Sequence, residues 1–348
     1  MGIPRQIVVG DIHGCHRELV ELCDKLAVID DDMLISVGDL VDRGPEPAEV
    51  VQLFRERRNS VVLTGNHERK HVRGVFSYAQ EITKLQLGAA YAEIVQWMAA
   101  LPYYLELPDA IIVHAALEPG VPLAAQKQEV LCGSTAGESE LETKLGAGRW
   151  WHEHYDGARP VIFGHHVVEQ PLVRPGKIYG IDTGACFGGA LTAVVLPGFD
   201  LVSVPAREDH WARAKRTWQA DVLTTRPWAD MSWAELDEQL ARFGKLDEPR
   251  THAYVEALRA WRGALAARTT AAFEAVHREA QRIAADEATR NDVAKRHPLA
   301  ALLFQAFRGR LDRAAFDKQC QTPRKLATVG APLGLPPLEP PAAPVRAG

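Results

Sequence analysis

Short apolar runs, each followed within a few residues by a polar group, recur along the first two hundred residues. Ile7–Val9 leads into Gly10-Asp11, Met33–Val37 into Gly38-Asp39, and Val61–Leu63 into Gly65-Asn66-His67. Ile111–Val113 is followed directly by His114, and Val161–Phe163 by Gly164-His165. Runs this short, with no polar alternation, read as strands buried on both faces. Helical spacing separates the first of them: Leu19, Leu22, Cys23 and Leu26 within Arg17–Val28, then Val50, Val51 and Phe54 behind Pro45 and Pro47. Leu85, Leu87, Tyr91, Ile94, Trp97 and Met98 extend the helical pattern through 76–104. Lys177–Ile181, Leu191–Leu196 and Leu201–Val204 have no long helix between them and predict an antiparallel portion. The whole predicts a layered α/β fold. Ligands of open α/β sheets bind beyond the carboxyl ends of the strands, so five polar endings can meet along one edge.

From about residue 207 Ala, Arg and Glu dominate with helical periodicity. Ser232 to Glu235 reads as a capping box, and Gly244 suits the end of the helix it opens. One long helix or two are expected over 251–291, and another over Ala300–Phe307 behind Pro298. A Pro/Ala-rich tail, 330–348, is expected to be disordered. The chain therefore divides into a candidate catalytic region, 1–206, a helical accessory region, 207–329, and that tail. Arg259, Arg262, Arg268, Arg278, Arg282 and Arg290 are interspersed with acids. This predicts a salt-bridged helical surface, with a docking element for a protein or RNA partner as the alternative. No pattern of a known RNA- or DNA-binding module supports the alternative.

Composition narrows the classes. With 348 residues, 47% of them hydrophobic, the chain can bury a large core. A net charge of −5 provides no global basic field for nucleic acid. Five cysteines without C-x-x-C spacing argue against a disulfide framework or a structural zinc, and a cytoplasmic location is expected. No signal peptide is evident, and no apolar stretch approaches the ~20 residues of a membrane helix. Met1-Gly2 opens like a myristoylation signal, but Gln6 stands where Ser or Thr is needed.

The strand endings carry metal-binding chemistry. Asp11 and His13, two residues apart, can turn toward one ion between the glycines of Gly10-Asp-Ile-His-Gly14. Asp39 has two oxygens and can bridge two ions, while Arg43 offers a planar fork for phosphate oxygens. Asn66 supplies a carbonyl oxygen, and His67 beside it is free to act as an acid. Taken together, Gly10–Gly14, Gly38-Asp-Leu-Val-Asp-Arg-Gly44 and Gly65-Asn-His-Glu68 resemble the motifs of the calcineurin-like metallophosphoesterases. They resemble most the phosphoprotein phosphatase branch, with its Ser/Thr protein phosphatase and diadenosine tetraphosphatase-like members. The segments 101–120 and 181–189 share that likeness, which covers about 5–206.

The resemblance implies a layered β-sandwich flanked by helices, carrying two divalent ions. It assigns Asp11 and His13 to the first ion, Asp39 to both, and Asn66, His114 and His165 to the second. Arg43 and Asn66 would hold the phosphate, and His67, oriented by Asp42, would protonate the leaving oxygen. Hydroxide between ions about 3.5–4 Å apart would attack phosphorus directly, leaving Cys15 as a packing residue. An N and O donor set suits Mn2+ first, with Fe or Zn as alternatives.

One element of the branch, a second phosphate-binding Arg, is not at its usual place. Leu131-Cys132-Gly133-Ser134 stands there, and Arg149, before Trp150-Trp151, is the nearest substitute. The alternative is that Arg149 only stacks on those tryptophans; His152 and His154 are expected at the surface. The function expected first is hydrolysis of phosphomonoesters, of the Ser/Thr protein phosphatase type, on a phosphoprotein. The alternative is a nucleotide or nucleic-acid phosphoesterase, acting on diadenosine tetraphosphate or an RNA end. A binding protein with a vestigial metal site is the third.

Overall fold

The computed structural model describes residues 4–242 and 249–343, in two compact units, Met1–Trp218 and Gln219–Gly348. The Gly244 helix end, the Met1-Gly2 start and the last five tail residues lie outside the described residues.

The first unit is built on two five-stranded sheets. Its strands are β1 Gln6–Val9, β2 Met33–Ser36, β3 Ser60–Val62, β4 Tyr104–Glu106, β5 Ile111–Val113, β6 Val161–Phe163, β7 Leu172–Arg174, β8 Ile178–Gly180, β9 Ala190–Leu196 and β10 Asp200–Pro205. The orders are β10-β9-β1-β2-β3 and β4-β5-β6-β8-β7. Side chains alternate between two buried faces, which is why the runs read as continuous apolar stretches. Val8, Ile35 and Val37 of the first sheet share a core with Ile112, Ile162 and Tyr179 of the second. On the other side, Ile7, Val9 and Leu34 pack on Leu19 and Leu22 of helix His16–Lys25 and on Val50 and Phe54 of helix Pro47–Glu56. Ile111, Val113, Val161 and Phe163 pack against Val130, Leu131 and Trp151.

In each sheet three adjacent strands run parallel: β1, β2 and the edge strand β3 in one, the central β5, β6 and β8 in the other. The run at 177–181, expected in an antiparallel portion, is the exception to the reading above. Its strand β8 pairs antiparallel with β7, as expected, but parallel with β6 on its other side. The crossover between them is the short strand β7 rather than a helix, so no helical signal marked it. Strands β9 and β10 are antiparallel as expected.

The first unit also extends past the composition shift at 206. His210 opens helix His210–Thr224, and its Nε2 lies 2.8 Å from Glu18 Oε1 on the first helix.

The second unit is helical. Helices Trp233–Arg242, Pro249–Ala284 and Ala300–Phe307 bury Leu236, Leu258, Leu265, Val276 and Leu303 in one core. The Ser232 capping box forms: Ser232 N donates to Glu235 Oε2 at 2.7 Å, and Glu235 N to Ser232 Oγ at 3.3 Å. Arg262 pairs with Asp237 and Arg282 with Glu279, as expected of a salt-bridged surface. Described residues of the expected tail make contacts with this core. Leu333, Leu335 and Leu338 pack on the helical core, and Trp261 Nε1 donates to Leu338 O at 2.9 Å. Prolines remove backbone donors, but the interspersed leucines still have apolar surface to bury. No helix among the described residues is long and apolar enough to cross a membrane.

Candidate metal centre

The chain leaves each of the six parallel strands at the same edge of the two sheets, and the polar endings converge there. Asp39 lies at the centre. Its Oδ2 is 3.5 Å from His13 Nε2, and its Oδ1 is 3.5 Å from His114 Nε2. Two groups of atoms able to hold a metal ion share it, each with its atoms within 4.8 Å of one another: His13, Asp39 and His67, and Asp11, Asp39 and His114. Asp11 thus sits with His114 at Asp39, rather than with His13 alone.

Backbone strain marks the same place. Seven non-glycine residues have positive φ among the described residues, and five belong to the site: His13 (47°), Asp39 (52°), Asp42 (72°), Arg43 (68°) and His165 (64°). Such conformations cost about 1–3 kcal/mol each and persist only where surrounding bonds fix them. Glu68 supplies three such bonds. Its carboxylate accepts from Asp39 N at 2.8 Å, Leu40 N at 2.9 Å and Gly65 N at 3.0 Å. Burial, then the Asp39 charge, push Glu68 up to about 8 against those three donors. Glycine is required at 65 and 164 by close approach, since a Cβ would collide with Asp39 Oδ1 and Asp11 Oδ1 respectively.

The donor set fits cations. His114 Nδ1 lies 3.2 Å from Val37 O, and its Nε2 lies 3.2 Å from Asn66 Oδ1. Burial lowers His114 to about 4, so the ring is neutral and has one N–H for two acceptors. With the proton on Nδ1 and donated to Val37 O, Nε2 turns its lone pair toward the Asn66 oxygen, a repulsion that a cation between them would remove. His13 Nδ1 pairs with Val41 O at 2.8 Å, which aims its Nε2 lone pair inward, where Arg43 Nη1 donates to it at 2.7 Å. Burial, then Arg43, hold His13 well below the ordinary histidine range, again the ligand form. Asp11 accepts from His165 N at 3.1 Å, yet burial and the charges of Asp182 and Asp39 push it well above the usual carboxylate range. Crowded buried carboxylates of this kind are what divalent ions neutralise.

His165 contributes its ring differently. Its Nε2 lies 2.8 Å from Glu138 Oε1, which leaves Nδ1 as the lone-pair nitrogen. A carboxylate fixing the tautomer in this way is common behind metal-binding histidines.

Beside the cluster His67 is paired with Asp42. His67 Nδ1 lies 2.5 Å from Asp42 Oδ2, while His67 Nε2 is buried without a hydrogen-bond partner, 3.9 Å from Asp39 Oδ2. Asp42 also takes His71 Nε2 at 2.9 Å and the Gln80 amide. Burial pushes Asp42 up, but these bonds and the charges of both histidines outweigh it and hold the carboxyl well below its usual range. Arg43 stacks over Phe187, with its guanidinium carbon 5.1 Å from the ring centroid.

Every residue expected from the sequence is thus at one sheet edge except Arg149, which lines an adjoining cavity with Glu138, Trp150 and His166. Cys15 is fully buried and its thiol is pushed up by burial, as expected of a packing residue. Glu68, His71, Gln80, Glu138 and Asp182 were not singled out in advance. Glu68 and Asp182 stood inside quoted motifs; the other three act across long sequence separations and carry no local signal.

Residues 4–181 match the profile of the calcineurin-like phosphoesterases. A bis(5′-nucleosyl)-tetraphosphatase (asymmetrical) of Halalkalibacterium halodurans is 31% identical over 232 residues, which span 58% of this chain and 94% of the relative. One from a Geobacillus species is 32% identical over 242 residues, 61% of this chain and 98% of the relative. A third, from Geobacillus thermodenitrificans, is 30% identical over 243 residues, 61% and 98%.

Proposed function

Because the chain belongs to the calcineurin-like phosphoesterases and is a metal-dependent phosphoester hydrolase, we propose that its substrate is a dinucleoside polyphosphate, split unevenly at a phosphoanhydride bond. The observation that carries this reading is the identity of relatives named for that activity, matched over nearly their whole length. It favours the nucleotide alternative of the sequence over the protein phosphatase reading.

In this account Asp11, His13, Asp39, Asn66, His114 and His165 hold two divalent ions, Mn2+ first by donor type, with Fe or Zn also suited. When bound, the ions supply water of lowered pKa and Lewis-acid polarisation of the phosphoryl oxygens. The chain's own residues do the rest. Arg43, braced on Phe187, and the Asn66 amide orient the phosphate oxygens. His67, fixed by Asp42, presents Nε2 toward the leaving oxygen. Glu68 keeps Asp39 in its strained turn and so keeps its carboxylate central.

The test is a comparison of kcat/KM by the Mn-loaded full chain on diadenosine tetraphosphate, a phosphoserine peptide and a 3′-phosphorylated oligonucleotide. The tetraphosphate is expected to be turned over fastest, to a nucleoside monophosphate and a nucleoside triphosphate. Faster turnover of the peptide would return the protein phosphatase reading.

A further inference from the structure

Residues that hydrolysis does not use gather beside the metal centre. A cavity of about 240 Å³ is lined by Glu138, Leu141, Glu142, Arg149, Trp150 and His166, among others. It adjoins the site through two links: Glu138 contacts His165 Nε2 at 2.8 Å, and His166 follows His165 directly.

Trp150 is the unusual member. Its neighbour Trp151 is 2% exposed and belongs to the core under the second sheet, whereas Trp150 is 47% exposed. Apolar burial alone does not account for placing so large a ring at the surface. The ring is nonetheless held. His152 lies nearly parallel to it at 6.0 Å between centroids, and His166 meets it edge-on at 4.6 Å. An exposed aromatic plane held in this way is preorganised for stacking.

The polar groups of the cavity select further. Arg149 is its one cation, and Glu138 and Glu142 are its carboxylates. A ligand made only of phosphate would be repelled by the two acids. A ligand with phosphate at one end and a planar, hydrogen-bond-donating group at the other satisfies all three, because carboxylates accept from amino and hydroxyl groups.

Resting on the substrate reading above, we propose that this cavity is the subsite for one nucleoside of the substrate: the base stacks on Trp150, Arg149 takes a phosphate oxygen of the polyphosphate chain, and Glu138 and Glu142 accept from the base amino group or the ribose hydroxyls. The subsite positions one end of the substrate, so that the bond presented to the metal centre lies at a fixed distance from a nucleoside.

The experiment measures the Mn-loaded wild type, Trp150→Ala and Trp150→Phe on diadenosine tetraphosphate and p-nitrophenyl phosphate. Inhibition of the nitrophenyl reaction by adenosine monophosphate and by inorganic phosphate is measured alongside. Removing a stacking ring weakens nucleotide binding about 5- to 150-fold. Trp150→Ala should raise KM for the tetraphosphate and weaken monophosphate inhibition by that factor. Its nitrophenyl activity and phosphate inhibition should stay within about twofold of wild type, and Trp150→Phe should recover most of the loss. If the wild type cleaves the tetraphosphate and Trp150→Ala binds it equally well, the subsite is refuted while the substrate reading stands. If the wild type ignores the tetraphosphate but monophosphate inhibition still depends on Trp150, the substrate reading falls and the nucleoside subsite stands. Equal losses on every substrate and inhibitor would assign Trp150 a structural role and overturn the subsite.

Discussion

Replacing His67 by Asn separates proton delivery from the rest of the site. In the structure His67 has one nitrogen tied to Asp42 at 2.5 Å and the other unpartnered among the metal-binding atoms. Asn removes the proton donor and retains an amide near Asp42. The fold should survive, because Asp42 keeps His71 and Gln80. A lost buried hydrogen bond costs about 1–3 kcal/mol, which a melting curve will register. The catalytic effect depends on the leaving group. General acids typically contribute about 10²–10⁴-fold where the departing oxygen needs a proton. Phenol, with a pKa about 10 like the tyrosine side chain, is such a group at neutral pH. A departing phosphate, whose last pKa is about 6, leaves as an anion without help. Turnover of phenyl phosphate should therefore fall about 10²–10⁴-fold, and that of diadenosine tetraphosphate or p-nitrophenyl phosphate by about tenfold or less. The assay is kcat on the three substrates at saturating Mn2+ and fixed pH. Equal losses on phenyl phosphate and the tetraphosphate would refute the assignment of His67 as the acid.

Three further outcomes are expected. Burial alone would raise Glu18, but hydrogen bonds from His210 and from Arg207 N outweigh it and hold Glu18 at about 2, against an ordinary 4.5. That stabilisation is complete above about pH 4.5 and is lost as pH falls toward 2. The Tm gap between wild type and Glu18→Gln should therefore be widest above pH 5 and close near pH 2, and a gap independent of pH would contradict it. Glu138→Ala removes the carboxylate that fixes the His165 ring, and metal affinity should drop about 10–100-fold in a Mn2+ titration; unchanged affinity would remove Glu138 from the site. Gly164→Ala drives a Cβ into Asp11 Oδ1 and to 2.8 Å from Val37 Cγ2. The expected result is a loss of about 1–3 kcal/mol in stability and roughly 100-fold in kcat, with near-normal activity as the contrary finding.

Strand ends were the most legible part of the molecule. A buried run ending in Asp, Asn or His leaves a polar group at a position where packing does not need one. Because the strands that carry them run parallel within each sheet, their ends share one edge. Asp11, Asp39, Asn66, His114 and His165 could be read in that way, and His13, Asp42, Arg43 and His67 followed from the motifs around them. The supporting groups were less visible. Glu138 lies on helix Thr135–Leu145, where a glutamate looks like any exposed acid until the fold brings His165 beside it. His71 and Gln80 act on Asp42 from 29 and 38 residues away. Strand β8 follows its parallel neighbour β6 without a helical crossover, so the sequence pattern does not mark Asp182 as a third strand-end carboxylate, beside Asp11 and Asp39. In the described part of the Pro/Ala-rich tail, three leucines pack on the helical core, a contact that proline content does not reveal.

The proposed two-ion centre depends on Asp39 serving both ions at once. Its most direct test is the metal stoichiometry of the full chain equilibrated with Mn2+, measured for the wild type and for Asp39→Asn. The wild type should bind two ions per chain, and the variant should lose affinity for both together with its hydrolytic activity. A wild type that saturates at one ion, or a variant that keeps two, would contradict it.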